Sequence, residues 1–387
     1  MFVNIIASFI PILFLQFILL PIIGRKYDEA TYGLMLTIIS LVTLSTQSLS
    51  IALTNSRLLK NSEYTEKNTV GDFNILLVAY CMINSIVVSV GTYLYEDKFN
   101  SLNILLVVFL SNLQLIRKYT LVSFRLKINY TGILNSNIFL IIGYLIGVIV
   151  FIYTKKWEVV YIFGEMISLI SILKRSNILS ESYRKTILFK ETFKHSSTIL
   201  VASFLGTASS YIDRLILFPI LGGKIVTVYY VSSLLGKTLS LLIGPINNVL
   251  LTYISKMKKI EKNSFDFLVI FSAILGGISY FIIIVVSKPL LKILYPLYVN
   301  EAMKLIYITT LTSIILMLSN VINPIIMKFC DIKWQMWINI FNNFNYIVLS
   351  LLLVKYYGIY GFCFAALMSS ILKFILMISI YKKRKEH

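Results

Sequence analysis

The sequence has 387 residues, 58% of them apolar and only 14% charged, and its mean hydropathy is +0.83. A soluble domain has about 45–50% apolar and about 25% charged residues, so this composition excludes a water-soluble protein of one or two domains. The net charge of +19 would indicate nucleic-acid binding in a soluble protein, but in a membrane protein it is typical of basic cytoplasmic loops.

Twelve apolar runs of about 20 residues follow one another along the chain, and each is long enough to cross a membrane. The first lacks a basic n-region and is longer than a signal core, so we interpret it as a span and not as a cleavable signal. Because the backbone must satisfy its own hydrogen bonds in lipid, all twelve are expected to be helices of an all-α polytopic membrane protein. The predicted spans are 2–23, 31–54, 72–94, 102–123, 131–153, 158–174, 196–220, 228–254, 266–286, 303–327, 337–354 and 360–381.

The distribution of basic residues predicts the orientation. With the N-terminus inside, and with charges near a span end counted with the adjoining segment, the inside holds 23 Lys and Arg residues, the outside 10 and the span interiors 3. Since cytoplasmic loops collect Lys and Arg, both termini are predicted to be cytoplasmic, and no nucleic-acid partner is needed to explain the charge. The strongest inside markers are the tail KKRKEH and the loop 174–194, whose other expected role is contact with anionic lipid headgroups.

An internal repeat divides the chain. LPIIGRKYDEATYG, after the first span, aligns with FPILGGKIVTVYY, after the seventh, and the matched residues include Pro, Gly, Lys and Tyr. The offset of about half the chain predicts an N-terminal six-helix bundle, 1–190, that ends in the basic loop, and a C-terminal six-helix bundle, 191–387. Six spans are an even number, so the bundles are expected to share one orientation and a pseudo-twofold axis along the membrane normal.

Three stretches resemble one family of membrane carriers. They are GRKYDEATYG after the first span, YIDRLILFPILGGKIVTVYYVSSLLGKTLSLLIGPINNVLLTYISK in spans seven and eight, and NNFNYIVLSLLLVKYYGIYGFCFAALMSSIL near the end. Together they resemble the polysaccharide repeat-unit flippases (Wzx type) of the multidrug/oligosaccharidyl-lipid/polysaccharide (MOP) exporter superfamily. The resemblance covers both halves. It implies a non-enzymatic carrier in a bacterial cytoplasmic membrane.

That family turns undecaprenyl-diphosphate-linked oligosaccharides from the cytoplasmic to the outer leaflet by alternating access, for assembly of O-antigen or capsule. A polysaccharide polymerase and a chain-length regulator are its expected partners. Two alternatives stay open. A multidrug or cation antiporter of the same superfamily would need acidic residues in its cavity, whereas the interiors of the predicted spans, away from their ends, contain three basic and two acidic residues. A membrane-embedded polymerase would need catalytic groups on a large outer loop, and the segment 287–302 offers few.

Charged residues inside spans are the first site candidates, because such groups usually face a bundle interior or a water-filled cavity. Lys237, Arg214 and Lys373 are candidates for binding the lipid diphosphate. The alternatives are a structural salt bridge between Asp213 and Lys237, and snorkelling of Arg214 and Lys373 toward an interface. Asp213 and Glu165 are interpreted as ion-coupling or structural carboxylates.

Residues at the span ends complete the candidate site. Arg117 lies near the inner end of span four, and Arg25 lies at the outer mouth. Each is interpreted either as a charge that sets the membrane orientation or as a diphosphate contact, Arg117 at entry and Arg25 at exit. Amide side chains in spans ten and eleven suit sugar hydroxyls, with helix–helix hydrogen bonding as the alternative: Asn320, Asn323, Asn339, Asn342 and Asn343.

No cofactor or metal site is predicted, since the sequence contains only two histidines and no Cys spacing of a zinc site. The phosphate-binding pattern G-x-x-x-x-G-K-[ST] is also missing, which argues against ATP hydrolysis by that route. The membrane potential, at about 2.3 kcal/mol per charge per 100 mV, or counter-transport of H⁺ or Na⁺ is the expected energy source.

Overall fold

The computed structural model describes residues 2–96, 100–255, 262–330 and 332–383. These residues form helices joined by short turns. In chain order the helices are α1 (Phe2–Phe14, continued by the π-helical segment Leu15–Leu19 and by Leu20–Gly24), α2 (Glu29–Glu66), α3 (Asp72–Tyr95), α4 (Ser101–Thr120, continued by Val122–Leu126), α5 (Tyr130–Thr154) and α6 (Trp157–Leu173). A 3₁₀ turn, Ile178–Ser180, follows α6.

Two very long helical stretches make up much of the second half. Phe189–Ser255 is interrupted at Gly222, which divides it into α7 (189–221) and α8 (223–255). After α9 (Lys262–Leu294) and α10 (Val299–Phe329), the stretch Ile332–Lys383 is interrupted at Gly358, giving α11 (332–357) and α12 (359–383). Gly222 has φ 78° and Gly358 has φ 55°, a left-handed region that favours glycine, so one residue is enough to break each helix.

The twelve predicted spans are present as helices. Eight helical stretches are long and apolar enough to cross a membrane, and two of these are the stretches divided at Gly222 and Gly358. The shorter apolar helices α1 and α6 complete the set within the described residues. The protein is therefore an all-α, multi-pass membrane protein, as predicted.

The helix ends differ from the predicted span ends. α2 continues to Glu66, whereas the predicted span ends at residue 54, and α8 begins directly after Gly222 instead of at residue 228. At 1.5 Å per residue, the 38 residues of α2 are about 57 Å long, well beyond a hydrocarbon core of about 30 Å. Hydropathy identifies the part of a helix that lies in lipid, and α2 continues into a polar segment that makes its own contacts.

The chain folds into two compact units. The first contains residues 1–15 and 34–219, and the second contains residues 16–33 and 220–387. These units are defined by packing, whereas the predicted bundles 1–190 and 191–387 are defined by the sequence repeat, so that division stays a prediction. The part of the tail KKRKEH beyond Lys383 lies outside the described residues.

Small residues allow close helix packing in the first unit. A Cβ atom on Gly143 of α5 would lie 2.6 Å from the Cα of Gly164 in α6, and one on Gly147 would lie 2.7 Å from the Cα of Val160. Such close approach of backbones is how helices associate in lipid, where apolar side chains gain nothing from avoiding water. The short helix α6 is therefore held along α5.

An aromatic cluster connects the start of α2, α8 and the end of α9 in the second unit. Tyr32, Tyr230 and Tyr295 are almost completely buried, and the hydroxyl oxygens of Tyr32 and Tyr295 are 3.1 Å apart. The Tyr230 hydroxyl donates a hydrogen bond to the side chain of Gln16 at 2.7 Å. These contacts connect residues 16–33 to α8 and α9 and explain why this short segment belongs to the second unit.

Candidate functional site: charged and polar groups within the spans

Arg117 and Glu165 form a buried ion pair in the first unit. Arg117 Nε donates to one carboxylate oxygen, and the Nη2–Oε1 distance is 3.4 Å. The side chains are 7% and 0% exposed. The guanidinium of α4 and the carboxylate of α6 thus neutralise each other between two helices. This arrangement favours the structural interpretation for both residues.

A hydrogen-bonded network connects α2, α3 and α4 beside this pair. The Asn84 side chain accepts from Ser45 at 2.7 Å and donates to Ser111 at 2.8 Å and Asn112 at 3.0 Å. Lys118 donates to Thr46 at 3.3 Å. Asn84 is not among the site residues predicted from the sequence, although an amide within an otherwise apolar run is a usable signal. The amide group of Asn84 finds its hydrogen-bond partners in side chains of two other helices.

Asp213 and Arg214 both lie in the first unit. They are 4% and 8% exposed, and Arg214 Nη1 donates to the Ser40 hydroxyl at 3.0 Å. Arg214, on α7, is therefore buried and hydrogen-bonded to α2, and its snorkelling toward an interface stays a prediction. Lys237 belongs to the second unit, and a salt bridge between Asp213 and Lys237 stays a prediction.

Two of the candidate lysines lie in helices of the second unit. The Lys237 ammonium is 5.2 Å from the centroid of the Tyr229 ring, a distance at which a cation is attracted to the ring face. Lys373, on α12, is only 9% exposed. Among the described residues, no carboxylate forms a salt bridge with Lys373.

The candidate amides of α10 and α11 have different degrees of burial. Asn342 and Asn343 are each 6% exposed, and the Ser369 hydroxyl of α12 donates to the Asn342 side-chain oxygen at 3.2 Å. Asn342 therefore makes the helix–helix contact that the alternative interpretation predicts. The remaining candidates are half-buried: Asn320, Asn323 and Asn339.

Arg25 is exposed at the turn between α1 and α2, and its guanidinium donates to the carbonyl oxygen of Ile293. In the same turn Asp28 caps α2. Its carboxylate accepts from the Thr31 hydroxyl at 2.6 Å and from the backbone N–H groups of Ala30 and Thr31 at 3.1 Å. The Thr31 hydroxyl bond is the main cause that lowers the pKa of Asp28 below its ordinary value. Lys224 forms a salt bridge with Glu29 at 2.9 Å.

Solved structures of transporters share this fold. No protein-family model matches the sequence, and no curated protein matches it either. The lipid II flippase MurJ, in an inward closed conformation, has a TM-score of 0.73 at 13% identity, over 99% of this chain and 86% of that chain.

Two transporters of the MATE family are also similar, one of them a multidrug resistance transporter. An inward-facing MATE transporter of the MOP superfamily has a TM-score of 0.64 at 12% identity, covering 98% of this chain and 100% of that chain. The Vibrio cholerae MATE transporter VcmN, in its bent form, has a TM-score of 0.58 at 13% identity, covering 98% and 94%. At such identities the likeness concerns the fold, so this chain has the polytopic helical fold of MurJ and the MATE transporters.

Proposed function

We propose that this protein is a flippase that moves undecaprenyl-diphosphate-linked oligosaccharide repeat units from the cytoplasmic to the outer leaflet of a bacterial cytoplasmic membrane. It works by alternating access, with both termini in the cytoplasm, and supplies repeat units for O-antigen or capsule assembly. The protein itself makes and breaks no covalent bond. The fold it shares with the lipid II flippase MurJ supports a lipid-linked substrate.

The observation that carries this proposal is Lys373. A buried cation within a membrane span is expensive and is usually paired with an acid or placed on a substrate path. Lys373 has no salt bridge among the described residues, and Lys237 places a second cation in the same unit. Such a unit suits an anionic substrate, and a diphosphate supplies the compensating charge.

The charges of the first unit support the same substrate. Glu165 is already neutralised by Arg117, so this carboxylate is not available to a cationic drug. Arg214 is fixed by Ser40 and adds a third cation in the spans. We propose Lys237, Lys373 and Arg214 as diphosphate contacts, and Arg25 as a contact at the exit.

The sugar portion needs hydroxyl-binding groups. Asn320, Asn323 and Asn339 are half-buried and carry amides that pair with sugar hydroxyls, so we propose them for the sugar path. Asn343 belongs to this set as well, whereas Asn342 contributes to the packing of α11 on α12 through Ser369. Analysis of the lipid-linked repeat units that accumulate after deletion of the gene identifies the sugar.

A cation antiporter is the second candidate function. The observation in its favour is Asp213, a carboxylate only 4% exposed within a span, together with the MATE transporters among the structural neighbours. In a flippase the same carboxylate would exchange H⁺ or Na⁺ for the substrate. The two functions differ in the charge of the transported molecule.

The test is lipid analysis of the host bacterium after deletion of this gene. We expect complete lipid-linked repeat units to accumulate on the cytoplasmic leaflet, and their composition identifies the substrate. Wild-type protein restores export, whereas K373Q restores less than a tenth of it, because the amide removes the charge that meets the diphosphate. K355Q is the matched control, since Lys355 is exposed at the end of α11.

Each other outcome contradicts the proposal. Repeat units that reach the outer leaflet but are not polymerised would indicate a polymerase. An unchanged lipid pool with new sensitivity to cationic drugs would indicate the antiporter. Full export by K373Q, with normal protein level, would remove Lys373 from the site.

A further inference from the structure

The segment that connects α6 to α7, residues 174–194, forms a continuous surface that we call the linker. It follows the last residue of α6 directly and includes the 3₁₀ turn Ile178–Ser180 and the first turns of α7. Because it begins and ends next to membrane spans, the linker lies at the level of the membrane surface. By the predicted topology this surface is cytoplasmic.

The linker is held against the inner ends of α2 and α3. The Asp72 carboxylate accepts from the Thr186 backbone N–H at 2.7 Å and from its hydroxyl at 2.5 Å. The Tyr64 hydroxyl is 2.8 Å from that of Thr192, and the Asn74 amide donates to the carbonyl oxygens of Ile178 and Glu181 at 3.1 Å each. The path of the linker is therefore determined by buried bonds.

Both acidic side chains of the linker are paired with cations of α2. Glu181 forms a two-pronged ion pair with Arg57, with N–O distances of 2.5 and 2.7 Å. Glu191 pairs with Lys60 at 2.5 Å. The cations that neutralise them belong to α2, so no linker cation is used for this purpose.

The basic side chains of the linker are left facing outward. Within the described part of the chain, none of them forms a salt bridge with a carboxylate. All six are exposed: Lys174, Arg175, Arg184, Lys185, Lys190 and Lys194. The outer surface of the linker thus has six positive charges, and its one exposed carboxylate, Glu191, is paired with Lys60 of α2.

Large apolar side chains lie among these cations. Ile187 is 81% exposed, Tyr183 54% and Phe193 48%. Exposed apolar groups flanked by Lys and Arg are typical of segments that lie in a membrane interface, with the apolar groups at the acyl boundary and the cations at the headgroups. The inside-positive rule alone explains the basic charge and does not require exposed apolar groups beside it.

We propose that the linker is a binding site for anionic phospholipid headgroups of the adjacent leaflet. Six exposed cations without a salt bridge, against one exposed carboxylate that is already paired, commit the site to anionic lipid. Ile187, Tyr183 and Phe193 insert beside the headgroups. Because the linker is fixed to α2 and α3, the bound lipid contacts a preformed surface. This site is separate from the proposed transport function and does not depend on it.

The test is native mass spectrometry of the full-length protein in an uncharged detergent, with added phosphatidylglycerol or phosphatidylcholine. We expect wild-type protein to bind phosphatidylglycerol more tightly than phosphatidylcholine. R184Q/K185Q/K190Q should weaken phosphatidylglycerol binding about tenfold or more, since each basic residue near an anionic surface contributes to the attraction. I187S keeps all charges and should weaken both lipids by a similar factor.

The matched control is K155Q/K288Q/K304Q, which removes three exposed cations from the predicted outer side. It should leave phosphatidylglycerol binding within about twofold of wild type. Equal losses in the linker and control variants would overturn the site and leave only a general charge effect. Unchanged phosphatidylglycerol binding by the linker variant would also overturn it.

Discussion

Arg117 and Glu165 illustrate how burial decides what a charged residue can do. Removing one member of a buried ion pair leaves an uncompensated charge and typically costs about 3–5 kcal/mol, whereas replacing both by apolar residues is often close to neutral. In this protein the pair connects α4 to α6, where the side chains are 7% and 0% exposed. The pair is therefore expected to matter for stability more than for substrate binding.

We accordingly expect R117Q or E165Q to lower the free energy of unfolding by about 3 kcal/mol, and R117M/E165L to lower it by clearly less. Thermal unfolding of the purified protein in detergent measures the difference. E29Q is the control, because the Glu29–Lys224 pair is 34% and 55% exposed and such surface pairs are worth about 1 kcal/mol or less. A double variant that is the least stable of the series would contradict this interpretation.

The sequence identified Arg117 and Glu165 separately but did not predict that they pair. Each can be recognised from the sequence alone, because it is a charged residue near or within an apolar run. Whether the two meet depends on the rotation and offset of α4 against α6, which hydropathy does not encode. The same reason explains Asn84, whose partners lie on two other helices.

At the scale of helices, glycine determines how closely the elements approach one another. In the second unit, a Cβ atom on Gly33 would overlap the carbonyl oxygen of Gly223, and one on Gly223 would overlap that of Ala30. The start of α2 and the start of α8 are thus in backbone contact. Both glycines stand in the junction sequences of the predicted repeat, which itself stays a prediction.

We therefore expect G33A to destabilise the protein by about 1–3 kcal/mol, because a well-packed contact has no room for an added methyl group. Gly277 of α9 is the matched control, since nothing lies within 4 Å of the position of its Cβ atom. G277A should be neutral or stabilise the helix by up to about 1 kcal/mol. The transition temperatures and membrane yields of the two variants measure this, and equal values would argue against a tight contact at Gly33.

At the scale of the whole molecule, the number and order of the helices could be predicted from the sequence. A span in lipid needs about 20 apolar residues, and an apolar run of that length is typical of membrane proteins and not of soluble ones. The positions of the turns at Gly222 and Gly358 could be predicted less accurately. A single residue with φ of 78° or 55° leaves no polar loop for a hydropathy scan to detect. The transported molecule is still harder to predict, since a lipid flippase and a multidrug transporter share the same fold.

The contacts at the two ends of the first unit agree with alternate crossing of the membrane. Asp72, at the start of α3, meets Thr186 just before α7, whereas Tyr95, at the end of α3, donates to the carbonyl oxygen of Leu215 near the end of α7 at 3.0 Å. If α3 and α7 cross in the same direction, the loop between α5 and α6 lies on the side opposite the linker. The inside-positive distribution then predicts that the linker is cytoplasmic.

This topology predicts opposite labelling of two exposed positions. K155C, in the turn between α5 and α6, should react in intact cells with a maleimide that does not cross the membrane, and R184C, in the linker, should react only after the cells are opened. Wild-type protein, with Cys81 and Cys330 half-buried and Cys363 buried, gives the background. Labelling of R184C in intact cells would reverse the orientation, and with it the leaflet to which the linker is exposed, whereas labelling of both positions would contradict alternate crossing itself.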